Sequence, residues 1–222
     1  MILASASLWV AQTNCWIISA DDKECVIVDL PPEPEVVVDS ILRHGLKPVA
    51  IIATHGHVDH IGGMRSFLDH DAVAATTPVH IHHDDLYRFK DQLSAIVLRE
   101  HLLQAGVNLA EPEVINTLED GDVIRGSGLR FTVIHTPGHT EGSVCLRVDD
   151  YDGDDLLFSG DHLFKDSIGR TDLPGGSMEA LMASMADKIL PLPDDVRVLP
   201  GHGPETTVGR ERRYNPFLRS LS

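Results

Sequence analysis

Thr54-His55-Gly56-His57-Val58-Asp59-His60 sets three imidazoles and one carboxylate within seven residues, directly behind the apolar run Val49-Ala50-Ile51-Ile52-Ala53. Neutral imidazole and carboxylate are the ligands that zinc and iron take. Packed this densely without a cation, they would strand polar groups without partners. His55, His57 and Asp59 alternate, which cannot align them on a helix, where same-face neighbours sit three or four residues apart. On an extended segment every second side chain points the same way. The stretch therefore reads as a metal-binding loop leaving the carboxyl end of a buried strand. A solvated polar turn that happens to be rich in histidine is the weaker alternative.

This cluster supplies four ligands at most, so others must come from distant segments. Three positions stand out: His139 in His135-Thr136-Pro137-Gly138-His139-Thr140, Asp161 in Phe158-Ser159-Gly160-Asp161, and His202 in Leu199-Pro200-Gly201-His202-Gly203. Each follows an apolar, strand-like run: Leu129 to Ile134, Leu156 to Phe158, and Val196 to Leu199. Such strand-to-loop junctions are where α/β proteins carry functional groups. Neighbouring Gly and Pro fix a tight backbone that can approach an ion closely.

In this order, the residues His-x-His-x-Asp-His, His139, Asp161 and His202 resemble the metallo-β-lactamase superfamily. Their identities are similar to those of its dinuclear glyoxalase II (hydroxyacylglutathione hydrolase) type. The similarity runs from about Trp9 to Phe217. Ser167-Ile168-Gly169-Arg170-Thr171-Asp172 and Gly209-Arg210-Glu211-Arg212-Arg213-Tyr214-Asn215-Pro216-Phe217 resemble the short, single-domain bacterial branch.

The resemblance implies an α/β fold, a four-layer αβ/βα sandwich with two mixed sheets flanked by helices. It also implies two divalent metal ions, zinc, iron or manganese. His55, His57 and His139 would hold one ion and Asp59, His60 and His202 the other, with Asp161 bridging both. A carboxylate can span ions about 3.5–4 Å apart, and water shared by two cations is acidified towards ~7. Asp59 and Asp161 are thereby catalytic, holding the hydroxide nucleophile in place. Asp29, closing the strand Val26-Ile27-Val28, is the candidate to orient a metal-bound imidazole, although it also suits a turn before Pro31. Arg170 falls where longer relatives carry a glutathione-contacting Lys, and is the candidate substrate-binding residue; Asp172 falls where they carry a Tyr. The expected reaction is hydrolysis of thioesters of the S-(2-hydroxyacyl)glutathione type. A mononuclear iron persulfide dioxygenase and a lactonase are the alternatives within the superfamily, and a non-catalytic binding module lies outside it.

A length of 222 residues suits one substantial domain, spanning 1–222, with no separate carboxyl-terminal substrate domain after His202. No apolar run approaches the roughly 20 residues that cross a bilayer, and Met1-Ile2-Leu3-Ala4 lacks the basic start of a signal peptide. Cys15, Cys25 and Cys145 are an odd set without metal-type spacing, which suggests reduced thiols and a cytoplasmic protein. A formal net charge of −16 argues against nucleic acid as partner, because binding phosphates needs a basic surface. The expected partner is a small-molecule thioester, with no nucleic acid and no membrane; the oligomeric state is not readable from the sequence.

Strands are expected at Leu8–Val10, Cys15–Ser19, Cys25–Leu30 and Pro48–Ala53, and later near 114–116, 122–125, 129–135, 143–148, 156–159 and 196–199. Helices are expected at Glu35–His44, closed by Gly45, from Ile61 to about His70, and at 177–189. Gln92–Gln104 reads as a further helix, on the surface or over the cleft. His80, His82 and His83 with Asp84 and Asp85 form a polar run that is not a ligand set in the resembled family. The spacing of His135 from His139 does not make it a ligand either, and the role of His162 is open. Arg210, Arg212, Arg213 and Arg219 make the tail locally basic, suiting either a solvated helix or the carboxylates of a thiol carrier.

Overall fold

The strands that feed the candidate ligands are apolar on both faces, so each requires a covering layer on both sides. In β2 (Thr13–Ser19), Cys15 and Ile17 join one core cluster while Trp16 and Ile18 join another. β3 (Glu24–Val28) and β4 (Lys47–Ile52) repeat the division. Cys25, Ile27 and Ile51 pack into the first cluster, and Val26, Val28 and Ile52 into the second.

The computed structural model describes residues 1–91, 107–219 and 221; the helical-looking segment Gln92–Gln104 lies outside them. One sheet runs in the order β1-β2-β3-β4-β5-β6, with β1 (Ile2–Leu8), β5 (Val79–His82) and β6 (Ile115–Leu118) completing it. Its first three strands pair antiparallel and β3 to β6 pair parallel. The second sheet holds β7 (Val123–Gly126), β8 (Leu129–His135), β9 (Val144–Tyr151), β10 (Asp154–Gly160), β13 (Arg197–Pro200) and β14 (Thr206–Thr207), ordered β14-β13-β10-β9-β8-β7. Only β10 and β13 pair parallel in it. A two-stranded ribbon of β11 (Leu163–Phe164) and β12 (Ser167–Ile168) stands apart.

Three core clusters correspond to three interfaces between four layers. Val37, Val38 and Ile41 of the helix Glu35–His44, with Met64 and Phe67, pack on the first sheet. Trp16, Phe131 and Phe158 fill the space between the sheets. Leu181, Met185, Ile189 and Val208, from the helices Met178–Ser184, Met185–Ile189 and Val208–Tyr214, cover the second sheet. The result is two mixed sheets flanked by helices, with the carboxyl ends of β4, β8, β10 and β13 leading into the candidate ligand loops.

Three expected elements differ, one being the helix expected at 177–189, which changes from α-helix to π-helix at Met185. The first strand is Ile2–Leu8, and Trp9 and Val10 belong to the turn that follows it. Trp9 and Gln12 both adopt left-handed backbone (φ 60 and 55), and Gln12 N–H donates to the Trp9 carbonyl at 3.1 Å, reversing the chain into β2. The helix expected from Ile61 is instead two short helices, Val58–Ile61 and Met64–Leu68. Between them Gly63 presses on Pro31, where a Cβ would lie 1.9 Å from the carbonyl oxygen, and its N–H donates out of the helix to Leu30 O. Among the described residues no helix is long and apolar enough to cross a membrane.

Candidate metal centre

The loops after β4, β8, β10 and β13 bring His55, His57, Asp59, His60, His139, Asp161 and His202 together. His55 Nε2, His57 Nδ1 and His139 Nε2 form a triangle with sides of 3.1, 2.9 and 3.2 Å. Their outer partners decide where the protons sit. His139 Nδ1 meets the Arg170 carbonyl at 2.8 Å and must donate, leaving a lone pair on Nε2. Thr54 Oγ1 donates to Asp29 at 2.8 Å, so at 3.2 Å it accepts from His55 Nδ1, which leaves a lone pair on His55 Nε2 as well. Two lone pairs therefore face each other at 3.2 Å inside a buried site, a repulsion that a cation between them converts to attraction. A tetrahedral ion with Zn–N bonds of ~2.0–2.1 Å sets nitrogens about 3.3 Å apart, so the triangle fits.

The second group is richer in carboxylate. His60 Nε2 lies 3.3 Å from Asp161 Oδ1 and 3.6 Å from Asp59 Oδ2. His202 Nε2 lies 3.3 Å from Asp59 Oδ2 and 3.4 Å from Asp161 Oδ2. Asp161 Oδ2 is also 3.5 Å from His139 Nε2, so this carboxylate faces both groups. His60 Nε2, His57 Nε2 and Asp161 Oδ1 are buried without a hydrogen-bond partner among the described residues. Buried polar atoms seldom stay unpaired, and three of them around one cavity fit a site for cations.

The two groups differ electrostatically. Burial and the nearby imidazoles hold His55 well below its ordinary value, and burial with His139 pushes His57 down to about 3. Burial also opposes charge on His60, but Asp29, Asp161 and Asp59 outweigh it and raise the ring well above its usual value. His202 likewise rises to about 9 against burial through its contacts with Asp161 and Asp59. Burial opposes the ionised carboxylates, yet His60 and His202 bring Asp59 down to about 2 and hold Asp161 well below its ordinary value. His55 and His57 offer neutral imidazoles, and the other group offers carboxylates that stay ionised.

Asp29 sits immediately behind this centre. Its Oδ2 meets His60 Nδ1 at 2.7 Å and its Oδ1 accepts the Thr54 N–H at 2.7 Å. Its left-handed backbone (φ 58) lets the chain turn under the ligand loop.

Sequence reading missed the supports of the ligand loops. Asp85, wholly buried, accepts from Gly56 N–H and Thr140 Oγ1 at 2.7 Å each, from Gly142 N–H at 3.0 Å and from Arg88 Nε at 3.1 Å. It thereby joins the loop carrying His55 and His57 to the loop carrying His139. Arg88 packs so closely that a Cβ on Gly56 would lie 2.6 Å from its Cδ. On the other side Asn14 donates to the carbonyls of Pro200 and Gly203, and Thr13 Oγ1 donates to Asp59 Oδ2 at 3.1 Å. No local signal marks these residues, because their partners lie on distant segments.

A cleft of about 500 Å³ opens onto the site, walled by Trp9, Phe164, Ile168 and Leu173, with Arg170 at its edge. The Arg170 guanidinium is exposed and paired with Asp172 through Nε and Nη2 at 2.7 and 2.8 Å. Of the tail arginines, Arg210 pairs with Asp166 and Glu211, and Arg212 binds Asp194 and the Leu190 and Leu192 carbonyls. His162 is buried with neither ring nitrogen partnered among the described residues, and burial followed by His139 pushes it down to about 3. All three cysteines are free and buried, and burial raises Cys25 and Cys145 to about 12, which rules them out as thiolates at neutral pH.

Fold and site together define an α/β sandwich with a candidate metal centre at the shared edge of its sheets. The Metallo-beta-lactamase superfamily model matches residues 8–202, and the chain belongs to that superfamily. It is 34% identical over 217 residues to the hydroxyacylglutathione hydrolase GloC of Haemophilus influenzae, covering 95% of each chain. The solved structure of the BLEG-1 B3 metallo-beta-lactamase is similar with a TM-score of 0.83 at 38% identity, covering 98% of this chain and 100% of that one. TTHA1623, solved in a di-iron-bound form, gives a TM-score of 0.81 at 35% identity over 97% and 100% of the two chains.

Proposed function

We propose that the chain is a dinuclear metal-dependent hydrolase of small-molecule thioesters of the S-(2-hydroxyacyl)glutathione type, acting in the cytoplasm. The observation that carries the metal reading is the pair of lone pairs on His55 and His139 facing each other at 3.2 Å. His55, His57 and His139 would hold one ion, and Asp59, His60 and His202 the other. Asp161, whose oxygens face both groups, would lie between them. When bound, two divalent zinc, iron or manganese ions supply a hydroxide at neutral pH and polarise the substrate carbonyl.

The chain's own residues orient and enclose. Asp29 fixes the His60 ring through Nδ1, and the Arg170 carbonyl fixes His139. Trp9, Phe164, Ile168 and Leu173 give the acyl group an apolar wall. Arg170 is assigned to a carboxylate of the carrier, exchanging its partner Asp172 for the substrate.

The leaving group supports a thioester over an ester or amide. Apart from the ligand set, Arg170 is the one ionisable side chain among the described residues lining the cleft, and guanidinium does not release a proton at neutral pH. A thiolate departs without a general acid. The name of the Haemophilus influenzae relative agrees with this choice. The test is anaerobic thiol release from S-lactoylglutathione. Oxygen uptake with glutathione persulfide, and no thioester cleavage without oxygen, would replace this reading with the mononuclear dioxygenase.

A further inference from the structure

The tail run Gly209 to Phe217 takes no part in the metal centre, yet it holds a wholly buried carboxylate. Four donors meet Glu211: Thr206 Oγ1 and Arg210 Nη1 at 2.6 Å each, the Asp166 N–H at 2.8 Å and Asn215 Nδ2 at 3.0 Å. A carboxylate offers about four lone-pair sites, so none is left over. Arg210 also grips the Asp166 carboxylate through Nη1 and Nη2 at 2.8 and 3.0 Å. Asn215 is buried as well. Its Oδ1 accepts the Phe217 N–H at 3.0 Å, which turns Nδ2 towards the Ser167 carbonyl at 2.9 Å.

Asp166 and Ser167 form the tip of the β11–β12 ribbon, where Asp166 turns the chain in left-handed backbone (φ 60). The ribbon has two residue pairs, Leu163 with Ile168 and Phe164 with Ser167, and joins neither sheet. So short a hairpin does not stand alone in water. Its base is tied to the strand that delivers Asp161, since Ser159 Oγ donates to the Leu163 carbonyl at 2.8 Å and Gly169 N–H to the His162 carbonyl at 3.3 Å. Among the described residues, the side chains that reach its tip from outside are those of Arg210, Glu211 and Asn215. The ribbon in turn walls the cleft with Phe164, Ser167 and Ile168, and the Phe164 ring meets the His202 ring edge-on with centroids 6.0 Å apart. Thr206, the fourth partner of Glu211, lies in β14 beside β13, whose carboxyl end leads to His202. The cleft wall and the His202 loop therefore share one anchor.

We propose that Arg210, Glu211 and Asn215 are positioning residues of the cleft, which fix the ribbon tip, hold the Phe164 wall beside His202 and so set how well the cleft takes a bulky apolar acyl group. The clamp follows from the geometry alone; the acyl group as its object rests on the thioester reading above.

The test compares full-length, metal-loaded wild type with Asn215→Ala, Glu211→Gln and Arg212→Gln. Arg212 binds Asp194 and the Leu190 and Leu192 carbonyls, so its variant loosens the same helix without touching the ribbon. Asn215→Ala removes only peripheral donors and keeps the test open if Glu211→Gln does not fold. Hydrogen–deuterium exchange reads the ribbon with no substrate present. In both clamp variants the amides of residues 163–168 should exchange at least about 5-fold faster, the equivalent of one lost hydrogen bond, while those of β8 and β9 keep their rates. Cleavage of S-lactoylglutathione and S-mandeloylglutathione reads the wall. The clamp variants should raise KM for the mandeloyl thioester at least about 3-fold more than for the lactoyl one, with a smaller change in kcat, because a phenyl ring uses Phe164 more than a methyl does. Arg212→Gln should keep both the wild-type ratio and the wild-type ribbon exchange. Unchanged ribbon exchange in the folded clamp variants, or an equal shift of acyl preference in Arg212→Gln, would overturn the proposal. Wild type that cleaves neither thioester would sink the substrate reading alone, and the exchange rates would still decide the clamp.

Discussion

Replacing Asp85 by Ala removes the acceptor that joins the two histidine loops. Gly56 N–H and Gly142 N–H, bonded to it at 2.7 and 3.0 Å, would be left in a dry interior. Each stranded donor costs about 1–3 kcal/mol. The other two partners lose less, since Thr140 Oγ1 keeps Ser143 Oγ at 2.7 Å and Arg88 keeps Glu141 and the Pro174 carbonyl. The expected destabilisation is therefore about 4 kcal/mol, below the ~5–15 kcal/mol typical of a folded domain. Gly56 lies between His55 and His57, so the triad should lose about 10- to 100-fold in metal affinity, as when a group supporting a ligand is removed. Asp85→Asn keeps the volume but turns an N–H₂ towards donors, and should cost roughly half as much. Urea unfolding of chelated protein gives the first quantity, and competition titration with a chromophoric chelator gives the second. An Asp85→Ala protein within about 0.5 kcal/mol of wild type, binding metal as tightly, would refute the clamp.

Asp161→Ala removes the carboxylate that faces both groups. It should leave one metal per chain by elemental analysis and lower turnover at least about 10²-fold. Gly201→Ala would place a Cβ 2.4 Å from Asp161 Oδ1 and 2.7 Å from His60 Cε1. It should cost about 10²-fold in turnover through ligand misplacement, with an unchanged circular dichroism spectrum. In chelated protein the carboxylates around His202 raise it to about 9, so near pH 7 a metal must displace its proton. Metal binding should release protons at pH 7 and tighten as pH rises towards 9, a trend that calorimetry in buffers of different ionisation enthalpy would measure.

The alternating ligands and the apolar runs before them carried most of the architecture, because a strand buried on both faces has few other readings. Val26, Ile27 and Val28 already require two cores, and the structure supplies them. Gly and Pro at strand ends marked where the loops begin. What stayed illegible depends on contacts between distant segments. Trp9 and Val10 look like strand residues, yet the left-handed turn at Trp9 and Gln12 takes them out of the sheet. Asp85 looks like one of several acids in a polar run, and only the fold brings Gly56, Arg88, Thr140 and Gly142 to it. The basic tail suited either a solvated helix or the carboxylates of a thiol carrier, and only the fold shows that Arg210 and Arg212 are committed to acids and carbonyls of the protein itself.

The most direct test restores metal stepwise to chelated protein and follows anaerobic cleavage of S-lactoylglutathione at each equivalent. The dinuclear thioesterase account predicts activity that climbs to a plateau at two ions per chain, with thiol released and no need for oxygen. A plateau at one iron per chain, with oxygen consumed from a persulfide and the thioester left intact, would contradict it.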